Sequence, residues 1–452
     1  MKKQLYDVII IGGGASGLCT AIQCKTNKNK VLIIEHNDRV GKKILSTGNG
    51  KCNLTNLACK VEAASGSKSG SVNKKGKSVS KTRMSFIPNP EGINPFVSSS
   101  NKGFAESVIA RFDCDDTIRF FEELGMVKLN KNGYIYPRSE QASSVLDLLR
   151  NRCTELGVDI LCGYQPIKIK KLADRGFVID NDYECEMLVI ATGGMNAAKT
   201  GSDGSGYEIA KKFGHKIIKP VPALCALHCS DPFFKELAGV RTDAKLTLQI
   251  KESGNGAAKK ADKSGAKAEK TAAGWTNLMT VSGNLQFNNY GISGIPVFQL
   301  SLLASRLLDE KKEIRVKINL LPEFGEEELA GIFAKKKSDK LLGILPKKLA
   351  NVVYKESKKA HPNEADETYN YVYTHMIQKF KVHPTKAANF EDAQTTLGGV
   401  STDEIDPKTM ESRIVKGLYF TGEIMDVSGI CGGYNLQWAW ATASIAAQAV
   451  KK

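Results

Sequence analysis

LYDVIIIGGGASG, residues 5–17, runs from an apolar strand straight into a glycine turn. Leu5 to Ile11 reads as a fully buried strand, and Gly12, Gly14 and Gly17 fit the spacing G-x-G-x-x-G. The three glycines do different things. Gly12 permits the tight turn, Gly14 lets the backbone approach a pyrophosphate, and Gly17 lets the following helix pack close to the sheet. The helix predicted from Ala15 to about Lys25 begins with Ala15 and Ser16, whose free N–H groups and positive dipole end suit phosphate. A second buried strand, Lys30 to Ile34, ends at Glu35, 23 residues past Gly12, where a carboxylate can accept hydrogen bonds from both ribose hydroxyls. Strand, glycine turn, helix, strand and acid together predict dinucleotide binding on a Rossmann-like, doubly wound α/β fold.

The chain has 452 residues, room for two or three domains. No run approaches the ~20 apolar residues of a membrane helix, and no cleavage-like site follows the first strand. Eleven cysteines without paired spacing suit reduced thiols, so a cytoplasmic location is expected and no membrane partner. The net charge of +16 is concentrated: residues 60–83 carry seven Lys/Arg against one Glu, and residues 251–270 carry six Lys against three acids, so these tracts hold 9 of the 16 excess charges. Both lack apolar periodicity and read as disordered basic insertions in surface loops. On that reading nucleic acid is an unlikely partner and a small-molecule substrate is expected; the oligomeric state leaves no trace in the sequence.

Outward from the opening unit, Lys42 and Lys43 precede Thr47-Gly48-Asn49-Gly50-Lys51-Cys52-Asn53, a run that can offer backbone N–H groups and amides to a polar ligand. Residues 104–125 look helical, 132–138 a short strand and 142–156 an amphipathic helix. Leu188 to Ile190 leads into a second turn, Ala191-Thr192-Gly193-Gly194. From about 196 to 385 the pattern changes to alternating segments (245–251, 313–319) and a mostly helical stretch (325–380), which predicts an inserted β-plus-helical region. The expected organisation is a dinucleotide domain in two parts, 1–195 and 386–452, around an insertion at 196–385. Near the end come a strand, 417–420, with Gly422, Glu423 and Asp426 after it, then Gly432-Gly433-Tyr434-Asn435 opening an alanine-rich helix to Val450.

Four glycine-bearing turns, two towards each end of the chain, suit one large cofactor, and the returning strand with its acid favours FAD over NAD. Glu423 or Asp426 is placed to bind a ribityl chain, and the helix starting near Gly433 to aim its positive end at the flavin ring.

Thr47 to Asn56 resembles the TGNGRCN-x-TN signature of the BaiN-like family of bacterial flavoproteins, linked with bile-acid ene-reductase and aminoacetone oxidase activities. Tyr136-Pro137-Arg138-Ser139, Ala191 to Gly194, Thr200 to Gly206, Gly398-Gly399-Val400, Thr409 to Ser412 and the run Gly417 to Trp440 match as well. The resemblance implies an FAD domain split by an inserted β-barrel and helical region, with the glycine turns contacting FAD. It implies an FAD-dependent oxidoreductase with NAD(P)H as transient reductant and an enone-like small molecule as acceptor; an FAD-dependent amine oxidase using oxygen is the alternative, and an RNA-modifying flavoprotein a third. Lys51 stands where the family usually has Arg, and residues 284–290 replace a segment that commonly carries a Thr-His pair. No C-x-x-C is present. Cys19 and Cys24 sit at i and i+5 of the first helix, facing apart, and Cys225, His228 and Cys229 lack the further ligands of a zinc site, so no metal is expected. Tyr434, Tyr136, Arg138 and Cys431 are the candidates for chemistry beside the flavin.

Overall fold

Val8 to Ile11 is apolar on both faces because the strand it ends, Gln4–Ile11, lies inside a parallel sheet with both faces covered. The computed structural model describes residues 3–62, 85–86, 94–101, 103–173, 176–252, 270–271, 274–336, 341–362 and 369–451. The two lysine-rich insertions fall almost wholly outside the described residues. The chain divides into two compact units, one of residues 1–220 with 395–452, the other of residues 221–394.

In the first unit, Gln4–Ile11 pairs in parallel with Val31–Glu35 on one side and Tyr183–Ile190 on the other; Asp159–Cys162 extends the sheet beyond Val31–Glu35. The far edge of Tyr183–Ile190 is shared. Its first half takes Phe177–Ile179 antiparallel, and its last three residues take Leu418–Phe420 in parallel. This is the doubly wound Rossmann arrangement, completed by a strand from the far end of the chain. The helix Ala15–Cys24 packs on the last helix, Tyr434–Val450. Polar side chains fix that last helix where alanine alone would slide. Trp438 Nε1 donates to Gly422 O and Trp440 Nε1 to Leu54 O, each at 3.0 Å. Gln437, fully buried, accepts from Thr55 and Thr117 hydroxyls and donates to Phe112 O.

The helical stretch expected at 104–125 is two helices, Phe104–Ile109 and Cys114–Glu123. Asp113 separates them: its side chain accepts from the N–H groups of Asp115 and Asp116, and Asp116 answers onto the Asp113 N–H, a capping box that starts a new helix. The insertion is shorter at its start than the composition suggested and longer at its end. Residues 196–220 remain with the first unit because the helix Ser205–Lys212 seats Gly206 against Thr192, where any side chain would collide with the Thr192 hydroxyl.

The second unit is built on an antiparallel sheet. Arg241–Lys251 lies between Trp275–Asn288 and Ile314–Asn319, and Phe380–Val382 forms the edge beyond Ile314–Asn319. The order continues from Trp275–Asn288 through Gly291–Ser293 and Leu227–Cys229 to Pro384–Ala387. The sheet curls so that Ile314–Asn319 also touches Pro384–Ala387. One face is apolar (Ala244, Leu246, Leu248, Val316, Ile318) and covered by the helix Ile295–Asp309. The expected helical stretch consists of Glu326–Lys335, Lys347–Ala360 and Tyr369–Gln378.

Candidate active site

The parallel strands of the first unit end together, so three glycine turns from remote parts of the chain meet at their carboxyl ends. Ala191 N donates to Ile11 O at 2.8 Å and Thr421 N to Ile190 O at 3.1 Å. A Cβ on Gly12, whose φ is +104°, would come within 2.5 Å of Ala191 O. One on Gly17 would collide with Gly12 O, and one on Gly422 would lie 2.6 Å from Ser16 Oγ. Gly14 differs: a Cβ there would meet nothing within 4 Å. Three of these glycines are demanded by packing, whereas Gly14 borders open space at the start of a ten-residue helix. That is the surface a pyrophosphate needs.

Glu35 is buried and already oriented. Its Oε2 accepts from Gly13 N at 2.8 Å and its Oε1 from Asn37 N at 2.9 Å and Asn37 Nδ2 at 2.8 Å. Oε2 keeps a further lone pair for a ribose hydroxyl, whereas both lone-pair sites of Oε1 are taken by Asn37. Lys42 is held nearby by Asn37 Oδ1 and by an ion pair with Asp38.

The run 47–52 forms a strained loop. Gly48, Asn49, Gly50 and Cys52 all have φ between +54° and +81°, and two of these are not glycine. Thr47 holds the loop shut, accepting Cys52 N at 3.0 Å while its hydroxyl donates to Ile44 O at 2.6 Å. Strain of this kind persists only where the surroundings over-determine it. Here Gly48, Asn49 and Gly50 are exposed above buried Cys52 and Asn53. Lys51 lies on the rim, 3.2 Å from Glu140, which also takes Lys131 and is drawn below its ordinary pKa by both ammonium groups, Lys131 first.

The fourth turn precedes the last helix. Gly432 and Gly433 have φ of +117° and +96°, and Asn435 clamps the turn by accepting from Gly429 N and donating to Gly429 O. A Cβ on Gly433 would lie 2.8 Å from the Thr55 carbonyl carbon and 3.0 Å from Asn53 Oδ1. Asn53 Oδ1 is buried with no hydrogen-bond partner among the described residues. An orphaned acceptor beside a helix N-terminus marks a place where a ligand donor belongs. The Thr192 and Thr421 hydroxyls are orphaned in the same way in the other two turns.

Tyr134 and Tyr136 lie on one face of the strand Tyr134–Pro137. Tyr134 Cε1 would be 2.7 Å from a Cβ on Gly432, and Tyr136 Cε1 3.8 Å from one on Gly48. The two phenols therefore line the two glycine loops. Tyr136 is half-buried, and burial raises its pKa, with Lys51 opposing. Tyr434 is buried edge-on against Phe96, Arg138 is exposed, and Cys431 is half-buried beside Gly432. Of the four candidates, Tyr136 and Cys431 combine access with a neighbouring glycine loop.

The two carboxylates expected near a ribityl chain have diverged. Glu423 Oε2 pairs with Lys43 Nζ at 2.7 Å and its Oε1 accepts Thr396 N at 2.8 Å; Lys43 also reaches Asn196 Oδ1 at 2.8 Å and Ser202 Oγ at 3.3 Å. Asp426 is fully buried, and its Oδ2 accepts from Ser99 N, Ser100 N and Ser100 Oγ. It anchors the loop 98–100, whereas Glu423 stays partly exposed beside Gly194, whose Cβ would lie 3.3 Å from the Glu423 carboxyl carbon. Thr396, Asn196 and Ser98 to Ser100 carry no local motif that would mark them in the sequence; Asn53 stood inside the amide-rich run and was open to notice. Cys19 and Cys24 are buried thiols whose pKa rises to about 12, by burial first, in keeping with packing residues.

Known proteins match this chain over nearly its whole length. A 3-dehydro-bile acid delta(4,6)-reductase from Clostridium scindens is 36% identical over 459 residues, covering 97% of this chain and 98% of the relative. A ribosomal RNA dihydrouridine synthase from Escherichia coli is 29% identical over 460 residues, covering 98% of each. Among solved structures, a 3-ketosteroid delta1-dehydrogenase from Sterolibacterium denitrificans superposes with a TM-score of 0.44 at 11% identity, over 99% of this chain and 100% of that one, too distant to carry function. The family model of the HI0933-like protein Rossmann domain matches residues 6–81 and 67–449. The chain belongs to the HI0933-like protein Rossmann domain family.

Proposed function

We propose that the protein is an FAD-dependent oxidoreductase that saturates a carbon–carbon double bond conjugated to a carbonyl, with NAD(P)H as the source of electrons. The carrying observation is the convergence of the glycine turns around Gly14, together with the 36% identity to a bile-acid reductase over nearly the full length of both chains. The activities printed for the two relatives share a chemistry. A 3-dehydro Δ4,6 bile acid is a ring ketone conjugated to double bonds, and dihydrouridine is uridine with the double bond next to a carbonyl saturated.

The residues present fit FAD. The N–H groups of Ala15 and Ser16 and the open space at Gly14 suit the pyrophosphate. Glu35 suits the adenosine ribose, the Lys43–Glu423 pair the ribityl hydroxyls, and Asn53 Oδ1 a ring N–H. The N-terminus of the 17-residue helix Tyr434–Val450 favours negative charge on the ring by roughly 0.3–1 kcal/mol, more where water is excluded. FAD, when bound, supplies the hydride that adds to one carbon of the double bond. The neighbouring carbon needs a proton from the protein or solvent. Tyr136 is the proposed donor, because it is half-buried beside the Gly48 loop and a phenol is protonated at neutral pH.

Incubating purified protein with NADH or NADPH and a 3-keto-Δ4,6 steroid, and separating products by mass, tests this reading. A gain of two hydrogens per steroid supports it. Peroxide formed from an amine without nicotinamide consumption would replace it with an oxidase.

A further inference from the structure

Asn37, half-buried just past the strand Val31–Glu35, donates twice to a single carboxylate oxygen. Its backbone N–H and its side-chain Nδ2 both reach Glu35 Oε1, at 2.9 and 2.8 Å. The direction of the amide is settled from both ends. Lys42 Nζ, which can only donate, lies 3.2 Å from Asn37 Oδ1, and the Glu35 carboxylate, which can only accept, faces Nδ2. Lys42 is itself held by Asp38 at 2.6 Å. Asn37 O accepts Gly163 N at 2.7 Å, which ties the end of the neighbouring strand Asp159–Cys162 to the same residue. From the other side comes the turn around Gly201, whose φ is +110°; a Cβ there would lie 2.5 Å from Asn37 Nδ2 and 3.7 Å from Glu35 Oε1. Segments 35–42, 162–163 and 200–202 therefore converge on this amide and the oxygen that it caps.

The consequence is an asymmetric carboxylate. An ionised carboxylate has about four acceptor sites, shared equally between its oxygens. Asn37 fills both on Oε1, and Gly13 N, at 2.8 Å, fills one on Oε2. His36 adds nothing at Oε1, because its Nδ1 stands 3.8 Å away, too far for a hydrogen bond. A strand that ends in an acid predicts a carboxylate taking both ribose hydroxyls. Here the buried Glu35 has room for one.

We infer that Asn37 is a positioning residue that sets specificity in the dinucleotide site: by closing Oε1 it restricts Glu35 to one hydroxyl of the adenosine ribose, so the two hydroxyls contribute unequally to binding. The inference rests on the FAD reading proposed above and concerns only how the ribose is recognised. A hydroxyl that donates to a charged, sheltered acceptor contributes more than one that donates to water or a neutral group. The hydroxyl on Oε2 is therefore the one that binding depends on. Asn37 touches no part of the ribose in this scheme and acts through Glu35 alone.

The test titrates the full-length protein, stripped of flavin, with FAD, with FAD lacking the adenosine 2′-hydroxyl and with FAD lacking the 3′-hydroxyl, read by flavin fluorescence. One analogue should bind at least about tenfold more weakly than FAD and the other within about threefold of it. In Asn37→Ala, Oε1 loses one of its two donors and opens to the second hydroxyl, so the gap between the analogues should shrink below about threefold. FMN, which has no adenosine, should bind Asn37→Ala as it binds wild type, whereas a general loss of structure would weaken FMN as well. Should Asn37→Ala fail to fold, the two analogues on the wild-type protein decide by themselves. The inference is overturned by analogues that bind alike, whether tightly or weakly, or by a folded Asn37→Ala that keeps the wild-type gap. A protein that takes up no FAD overturns the cofactor reading and this inference with it; FAD uptake with equal analogues overturns this inference alone.

Discussion

At the scale of single residues, Gly14 and Gly17 separate ligand from packing. Gly14 borders open space with φ of −80°, so Gly14→Ala should fold with apo stability within about 1 kcal/mol of wild type, yet bind FAD at least about tenfold more weakly. Gly17→Ala should lose roughly 3 kcal/mol or more, because its methyl meets the Gly12 carbonyl, which cannot move without the sheet. Denaturant melts of the apo proteins, followed by FAD titration, read both outcomes, and equal behaviour would remove Gly14 from the cofactor site. Tyr136 offers a second contrast. Tyr136→Phe should leave flavin reduction by NAD(P)H unchanged and slow its reoxidation by an enone by roughly 10²-fold or more. Stopped-flow measurement of the two half-reactions decides it, and an unchanged reoxidation rate would end the proton-donor assignment.

Among the elements, the segment after the helix Ser205–Lys212 is tied down by a buried histidine. His215 Nδ1 lies 3.0 Å from Glu404 Oε2 and its Nε2 2.8 Å from Ser412 Oγ, joining that helix to the turn Thr402–Glu404 and the loop before Leu418–Phe420. Burial lowers the His215 pKa, with Glu404 opposing, so the unfolded chain takes up the proton more readily than the folded one. The stability from neutral His215 is present above the ordinary value near 6.5 and is lost as pH falls below it. Thermal melts should show stability falling from pH 7 to pH 5, and His215→Gln should be less stable at pH 7 with a shallower decline. A variant with the wild-type slope would exclude His215 as the group responsible. The elements themselves were largely legible. Val8 to Ile11 and Val31 to Ile34 are continuous apolar runs, and the helices Ala15–Cys24 and Tyr434–Val450 each open directly after a glycine turn. The break at Asp113 is hidden in the sequence because its capping box lies within a continuous helical pattern.

Across the whole molecule, what the sequence withheld is distance. The glycine turns announce themselves locally, because each needs its own backbone geometry. Their partners do not: Lys43 meets Glu423, Ser100 meets Asp426, and Thr55 meets Gln437, each across more than 300 residues. Residue type gives no hint of such pairs before the sheet order is known. A cofactor that joins so many remote segments should couple to global stability. Calorimetry should show FAD at a hundred times its dissociation constant stabilising the apo protein by about 2.7 kcal/mol, and an unmoved transition would mean that FAD does not select the folded state.

Whether the protein is a nicotinamide-driven flavin reductase is decided by anaerobic mixing. Purified protein is combined with NADH or NADPH while absorbance is followed near 450 nm, roughly where oxidised flavins absorb, and a conjugated enone is then added. One of the nucleotides should bleach the flavin, and the yellow colour should recover with one enone saturated per flavin. A protein that takes up no FAD, or a flavin that neither nucleotide bleaches, would contradict this.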